Sequence, residues 1–132
     1  MFSHFSRWLC ALLVSVGFAT SAVAFETYSA EDQLKGDYAL MFSAVWCAPC
    51  KVLKTDIENH KGGGSLSEPL KSYKVIIVDA DIYPGKTKEM GVKGLPTTFF
   101  MRGKKVEDQV VGKVPASVWW EKVAKYKQSG SE

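Results

Sequence analysis

The segment Trp46-Cys47-Ala48-Pro49-Cys50-Lys51 sets two cysteines three residues apart, where an apolar run of strand length meets a helical pattern. Tyr38 to Ala44 (YALMFSA) is bounded by polar residues and reads as a buried strand. Beyond Cys50, Val52, Leu53 and Ile57 recur at helical spacing, with Lys51, Lys54, Asp56 and Glu58 on the other side. That predicts a helix from near Cys47 to about His60. A chain that enters a helix through its first cysteine puts that sulfur among unpaired backbone N–H groups, at the positive end of the helix dipole. The thiolate is favoured there, and only the thiolate attacks a disulfide. Cys50, one turn later, falls on the same side and deeper, in the position of a resolving thiol. Pro49 costs little in a first turn, where its missing N–H has no partner to lose, and it stiffens the Ala48-Pro49 loop between the sulfurs.

Other uses of such a pair stay open at this point. Zinc wants four ligands, and beyond Cys47 and Cys50 the chain offers His60 but no second Cys-x-x-Cys. A purely structural disulfide would close so short a loop that it would constrain the unfolded chain very little. Copper(I) held by the two thiolates, with Met41, Met90 or Met101 nearby, is chemically reasonable because soft ligands select that ion.

The compartment bears on the choice. Residues 1–24 combine a basic Arg7, an apolar stretch from Trp8 to Ala19 and a small-residue end, Ala22-Val23-Ala24. This is the pattern of a secretory signal cleaved after Ala24, and Cys10 would leave with it. The expected division is therefore a signal peptide at 1–24 and one domain at 25–132, exported to the periplasm, where disulfides form and persist. Retention as an uncleaved anchor is the alternative. The composition, 46% hydrophobic and 23% charged with a formal net charge of +3, is that of an ordinary soluble globule. No block of like charge suggests a nucleic-acid surface.

Further along, Lys74 to Val78 (KVIIV) reads as a buried strand and Pro84 to Met90 as a short helix ended by Gly91. Leu95 to Met101 is a third strand, turned by Gly103-Lys104-Lys105 into a fourth, Val106 to Val111. Ser117 to Lys127 closes the chain as an amphipathic helix whose apolar face is predicted at Val118, Trp119, Val123 and Tyr126. Gly62-Gly63-Gly64-Ser65 reads as a flexible connection, and Glu26 to Gly36 as a partly helical leading segment. This order implies an α/β fold with a central mixed sheet flanked by helices.

The chain also resembles a known family, the thioredoxins. The Trp-Cys-x-Pro-Cys-Lys run at Trp46 to Lys51 is similar to the family's active site, Gly94-Leu95-Pro96-Thr97 to its Gly-hydrophobic-Pro-Thr loop, and Val111-Gly112 to the segment before its last helix. The resemblance covers roughly Ala39 to Lys127. It implies a thioredoxin-like fold and a thiol-disulfide oxidoreductase in which Cys47 is the nucleophile and Cys50 the resolving cysteine. It further implies that Trp46 shapes the surface beside the sulfur, and that Pro96 is a cis-proline opposite the dithiol. Leu95 would offer backbone hydrogen bonds to an extended substrate, and Gly112 would let its backbone approach closely. No cofactor is expected beyond the redox-active pair Cys47–Cys50, and no metal. The expected partners are protein thiols and disulfides and a membrane-bound electron donor, with the protein itself a monomer. In one respect the chain departs from the family: Met41 stands where thioredoxins proper carry a buried aspartate. That places it nearer the divergent, exported thioredoxin-like proteins of bacterial envelopes, and the lack of a histidine between the cysteines points to a reductive or isomerase-type role, the reductive one being expected.

The helix-terminus argument yields a measurable expectation. In the reduced protein, Cys47 should titrate well below the free-thiol value of roughly 8.5 and Cys50 should not. Alkylation rate against pH in Cys50→Ser and Cys47→Ser variants reads this directly, and equal, unshifted profiles would contradict it.

Overall fold

The computed structural model describes residues 25–61 and 73–129; the expected signal segment and the glycine run at 62–65 lie outside the described residues. In chain order the elements are β1 (Phe25–Thr27), a 3-10 turn (Glu31–Gln33), β2 (Asp37–Ser43), α1 (Ala48–Lys61), β3 (Lys74–Asp79), α2 (Pro84–Glu89), β4 (Thr97–Arg102), β5 (Lys105–Val111) and α3 (Ala116–Ser129). The strands form one mixed sheet in the order β1-β3-β2-β4-β5. Strand β3 runs parallel to both β1 and β2, whereas β4 is antiparallel to β2 and to β5. Parallel neighbours cannot be joined by a tight turn, so the chain crosses from β2 to β3 by way of α1. β4 and β5 need only Gly103-Lys104, with Gly103 in the left-handed region at φ +60°.

Side chains alternate across the sheet with period two. Ala39, Met41, Val75 and Phe100 face one layer, under Leu53 and Ile57 of α1 and Trp119, Trp120, Val123 and Tyr126 of α3. Leu40, Phe42, Ile76, Val78 and Phe99 face the other, covered by Tyr28, Leu34, Tyr83 and Met90. A central strand covered on both faces reads as a continuous apolar run, which is why Tyr38 to Phe42 carries no polar residue. The leading segment is pinned to the second layer by Glu31, which accepts hydrogen bonds from Tyr28 Oη and Lys86 Nζ, each at 2.8 Å. The Lys86 bond, ahead of the Tyr28 bond, holds the Glu31 carboxyl below its usual range.

Two expectations need correction. Val52 does not join the inner face of α1 but is 43% exposed, and the buried row is Cys50, Leu53 and Ile57. Spacing explains it: positions 50, 53 and 57 follow a three-and-four step that Val52 breaks. On α3 the roles of two neighbours are exchanged, Val118 being 39% exposed and Trp120 1%. Trp120 reaches inward because its Nε1 donates to the Ile57 carbonyl at 3.1 Å, joining α3 to α1. The leading segment, read as partly helical, also supplies an edge strand: Phe25–Thr27 pairs with Val75, Ile76 and Ile77 of β3.

The exchange on α3 has a thermodynamic signature. Trp120→Ala should cost about 3–5 kcal/mol, whereas Val118→Ala should stay within about 0.5 kcal/mol. Denaturant unfolding of the two variants measures both, and comparable losses would mean that Val118 packs inward after all.

Candidate active site

Strand directions assemble the site. Because β2 and β3 are parallel, the residues that follow them, Ala44 to Cys47 and Ala80 to Ile82, emerge at the same end of the sheet. Since β4 is antiparallel to β2, the residues that precede it, Gly94-Leu95-Pro96, arrive at that end, and β5 returns Val111-Gly112 to it. Backbone bonds tie these segments together: Ala80 N–H donates to the Ser43 carbonyl at 2.8 Å and Gly112 N–H to the Pro96 carbonyl at 2.7 Å. Thr97 Oγ1 donates to the Gly94 carbonyl at 2.6 Å, holding the loop that carries Leu95 and Pro96. The Leu95-Pro96 peptide bond is cis.

Cys47 and Cys50 are joined by a disulfide, with their α-carbons 5.3 Å apart. Helix α1 begins at Ala48, so Cys47 is its N-cap, one residue outside the predicted first turn. The Cys47 carbonyl accepts from the Lys51 N–H at 3.3 Å, and Cys47 Sγ accepts from the Cys50 N–H, also at 3.3 Å. The usual N-cap uses a side-chain oxygen to satisfy the third helical N–H; here a sulfur does so. Pro49, at the second helical position, withdraws a donor that the helix could not have paired internally. Ala48 and Pro49 are exposed, while Cys47 and Cys50 are 3% and 0% exposed and pack with Ala44 and Leu95.

Trp46, Leu95, Pro96 and Gly112 all lie at this end. Trp46 is 68% exposed and is held by a hydrogen bond from Nε1 to Asp81 Oδ2 at 2.8 Å. Asp81 escaped the sequence reading. It is positioned by Asp79, whose Oδ1 accepts from the N–H groups of Asp81 at 2.9 Å and Ile82 at 3.3 Å. The Asp-x-Asp pattern at the end of a strand was the available signal, since aspartate turns the chain by bonding backbone two residues on. Gly112 has φ +83°, and a Cβ there would meet nothing within 4 Å, so the backbone at this point is open to an approaching chain. Val45, Ile82 and Val111 surround the site as further exposed apolar side chains. Met41 is fully buried, with Ile77 and Thr98 as its strand neighbours, and presents no carboxylate behind the dithiol.

This constellation has counterparts among known proteins. The family profile described as Thioredoxin matches residues 19–125. An M-type chloroplastic thioredoxin of Pisum sativum is 31% identical over 64% of this chain, which spans 46% of that relative's length. The thioredoxin of Chlorobaculum thiosulfatiphilum is 30% identical, over 68% of this chain and 81% of its own. Among solved structures, the thioredoxin from Trypanosoma brucei brucei shares the fold with a TM-score of 0.66 at 23% identity, over 84% of this chain and 96% of that one. A profile match that takes in both cysteines and the Leu95-Pro96 loop and reaches into α3 leaves one conclusion: the chain belongs to the thioredoxin family.

Proposed function

We propose that this protein is an exported thiol-disulfide oxidoreductase of the bacterial envelope, acting on protein disulfides through Cys47 and Cys50, mainly in the reductive direction. The observation that carries the reading is the bond from the Cys50 N–H to Cys47 Sγ at the start of α1. In the reduced protein the same N–H and the helix terminus stabilise a Cys47 thiolate. That thiolate attacks one sulfur of a substrate disulfide, and the other substrate sulfur leaves as a thiol after taking a proton. Cys50 then gives up its proton and attacks Cys47 Sγ, releasing the second substrate thiol and leaving the Cys47–Cys50 disulfide. With Met41 buried in place of an acid, the Cys50 proton passes to the departing substrate sulfur or to water.

The surroundings fit a polypeptide substrate. Leu95 packs with the cysteines, Trp46, Pro96 and Gly112 belong to segments that reach the same end of the sheet, and Val45, Ile82 and Val111 are exposed apolar side chains of those segments, all of which supports a polypeptide substrate. No bound cofactor is needed, because the electrons reside in the dithiol. Export rests on the Arg7, Trp8 to Ala19 and Ala22-Val23-Ala24 pattern. A reductant exported in this way has to be recharged, for which a membrane-bound electron donor is the natural source. The Ala-Pro pair between the cysteines, without a histidine to stabilise the thiolate further, supports the reductive direction. A copper(I) site receives less support: Met41 packs under α1, Met90 and Met101 pack on the opposite face of the sheet, and none of them joins the cluster around the dithiol.

Two outcomes test the reading. In envelope extracts Cys50→Ser should accumulate thiol-sensitive adducts with proteins and Cys47→Ser should not; the opposite pattern would reverse the two roles. Gly112→Ala should lower turnover of a protein disulfide by about tenfold, roughly 1.4 kcal/mol, while reaction with a small disulfide that needs no groove changes little. Equal losses on both substrates would remove Gly112 from the docking surface.

A further inference from the structure

On the α1 side the dithiol end of the sheet opens into a cleft of two lobes, which share Lys51, Lys54 and Ile77. The inner lobe, about 290 Å³, reaches Ala44 and Val45 beside the cysteines, and the outer lobe, about 460 Å³, runs to Phe25 and Thr27 on the edge strand. The inner lobe is mainly apolar and the outer lobe mixed, and Val45 at the inner mouth is 73% exposed. This is the other side of the active-site loop from Pro96 and Gly112.

The charges along the cleft are unequally spent. Glu26, at the outer end, is paired with Lys74 at 3.3 Å. Asp79 uses Oδ1 to hold the turn through Asp81 and Ile82. Glu58, also at the outer end, is exposed. Lys51 and Lys54, one helical turn apart, form no ion pair among the described residues. Among the described residues, then, two lysines without an ion partner project from α1 along both lobes, facing Asp79 in the inner lobe, whose carboxylate is held against the turn, and Glu58 at the outer end. A helix rises about 1.5 Å per residue, so Lys54 lies roughly 10 Å along α1 from Cys47, a distance that about three residues of extended chain cover.

We propose that this cleft is a docking site for an acidic segment, punctuated by an apolar residue, of the protein that exchanges disulfides with Cys47; the inference rests on the exchange reading above. Carboxylates of the partner pair with Lys51 and Lys54, and its apolar side chain covers Val45 and Ile77. Such pairing at an exposed rim acts mainly on encounter and partner choice, and salt screens it. It would let this protein prefer one class of substrate although the dithiol reacts with many.

The test uses two cystine-loop peptides of equal length, one flanked by Glu-Leu-Glu and the other by Lys-Leu-Lys, together with uncharged hydroxyethyl disulfide. The full chain should reduce the acidic peptide about tenfold faster in kcat/KM at low salt, a preference that shrinks to about twofold near 0.5 M NaCl. Lys54→Glu should abolish or invert the preference and Lys54→Gln should weaken it, with hydroxyethyl disulfide turnover unchanged in both. A thiol-free version of the acidic peptide, with serine in place of cysteine, should shift the amide resonances of Thr27, Thr55 and Ile77. Equal rates for the two peptides, a preference untouched by Lys54→Glu, or shifts confined to Leu95 and Gly112 would each overturn the docking site. Loss of hydroxyethyl disulfide turnover in the unmodified protein would instead strike the exchange reading, leaving the resonance map to decide the cleft.

Discussion

Strand β2 is hydrogen-bonded along both edges, parallel to β3 and antiparallel to β4, and nearly everything else follows from that placement. A strand so enclosed has no solvent face, which is why Tyr38 to Phe42 are all buried. Its opposed neighbours also decide where chemistry can occur. Only at the end where β2 and β3 finish and β4 begins do the dithiol, the Asp79-to-Ile82 turn and the Leu95-Pro96 loop converge. Ala80 bonding to Ser43, and Gly112 to Pro96, close that end with backbone rather than side-chain contacts. A site built in this way tolerates varied side chains on its rim.

Within it, one sulfur performs a task that oxygen performs elsewhere. Cys47 caps α1 by accepting the Cys50 N–H, so the donor that a thiolate needs is the donor that the helix cannot otherwise satisfy. Pro49 removes a second unpaired donor from the same turn and fixes the spacing between the cysteines. The two tryptophans nearest the argument divide between structure and surface. Trp120 binds α3 to α1 through the Ile57 carbonyl, whereas Trp46 is held outward by Asp81.

The element order from β2 onward, the boundaries of β2 and α1 to within a residue, and the four segments of the site were legible in the primary structure. The signals there were strong: a buried apolar run, a cysteine pair at a helix start, a proline opening a strand. Val52 and Val118 were expected inward, and Trp120 was not singled out, because a helical pattern fixes a stripe only to within one position. Which residue of a neighbouring pair turns inward depends on the partner helix, here on a carbonyl of α1 that Trp120 can reach. The edge strand Phe25–Thr27 was missed for a related reason. Three residues have no periodicity of their own, and they are a strand because Val75 to Ile77 offers them an open edge.

What the chain determined alone is the local chemistry: the Cys47-Ala48-Pro49-Cys50 spacing, the helix that follows it and the absence of an acid at Met41, since each depends on residues adjacent in sequence. Only the tertiary structure decided what stands around the sulfurs. The Trp46–Asp81 bond, the seat of Leu95 against the cysteines and the cleft lined by Lys51 and Lys54 join segments as much as 48 residues apart in sequence, such as Cys47 and Leu95. Strand direction sets such meetings, and strand direction is a property of the whole sheet.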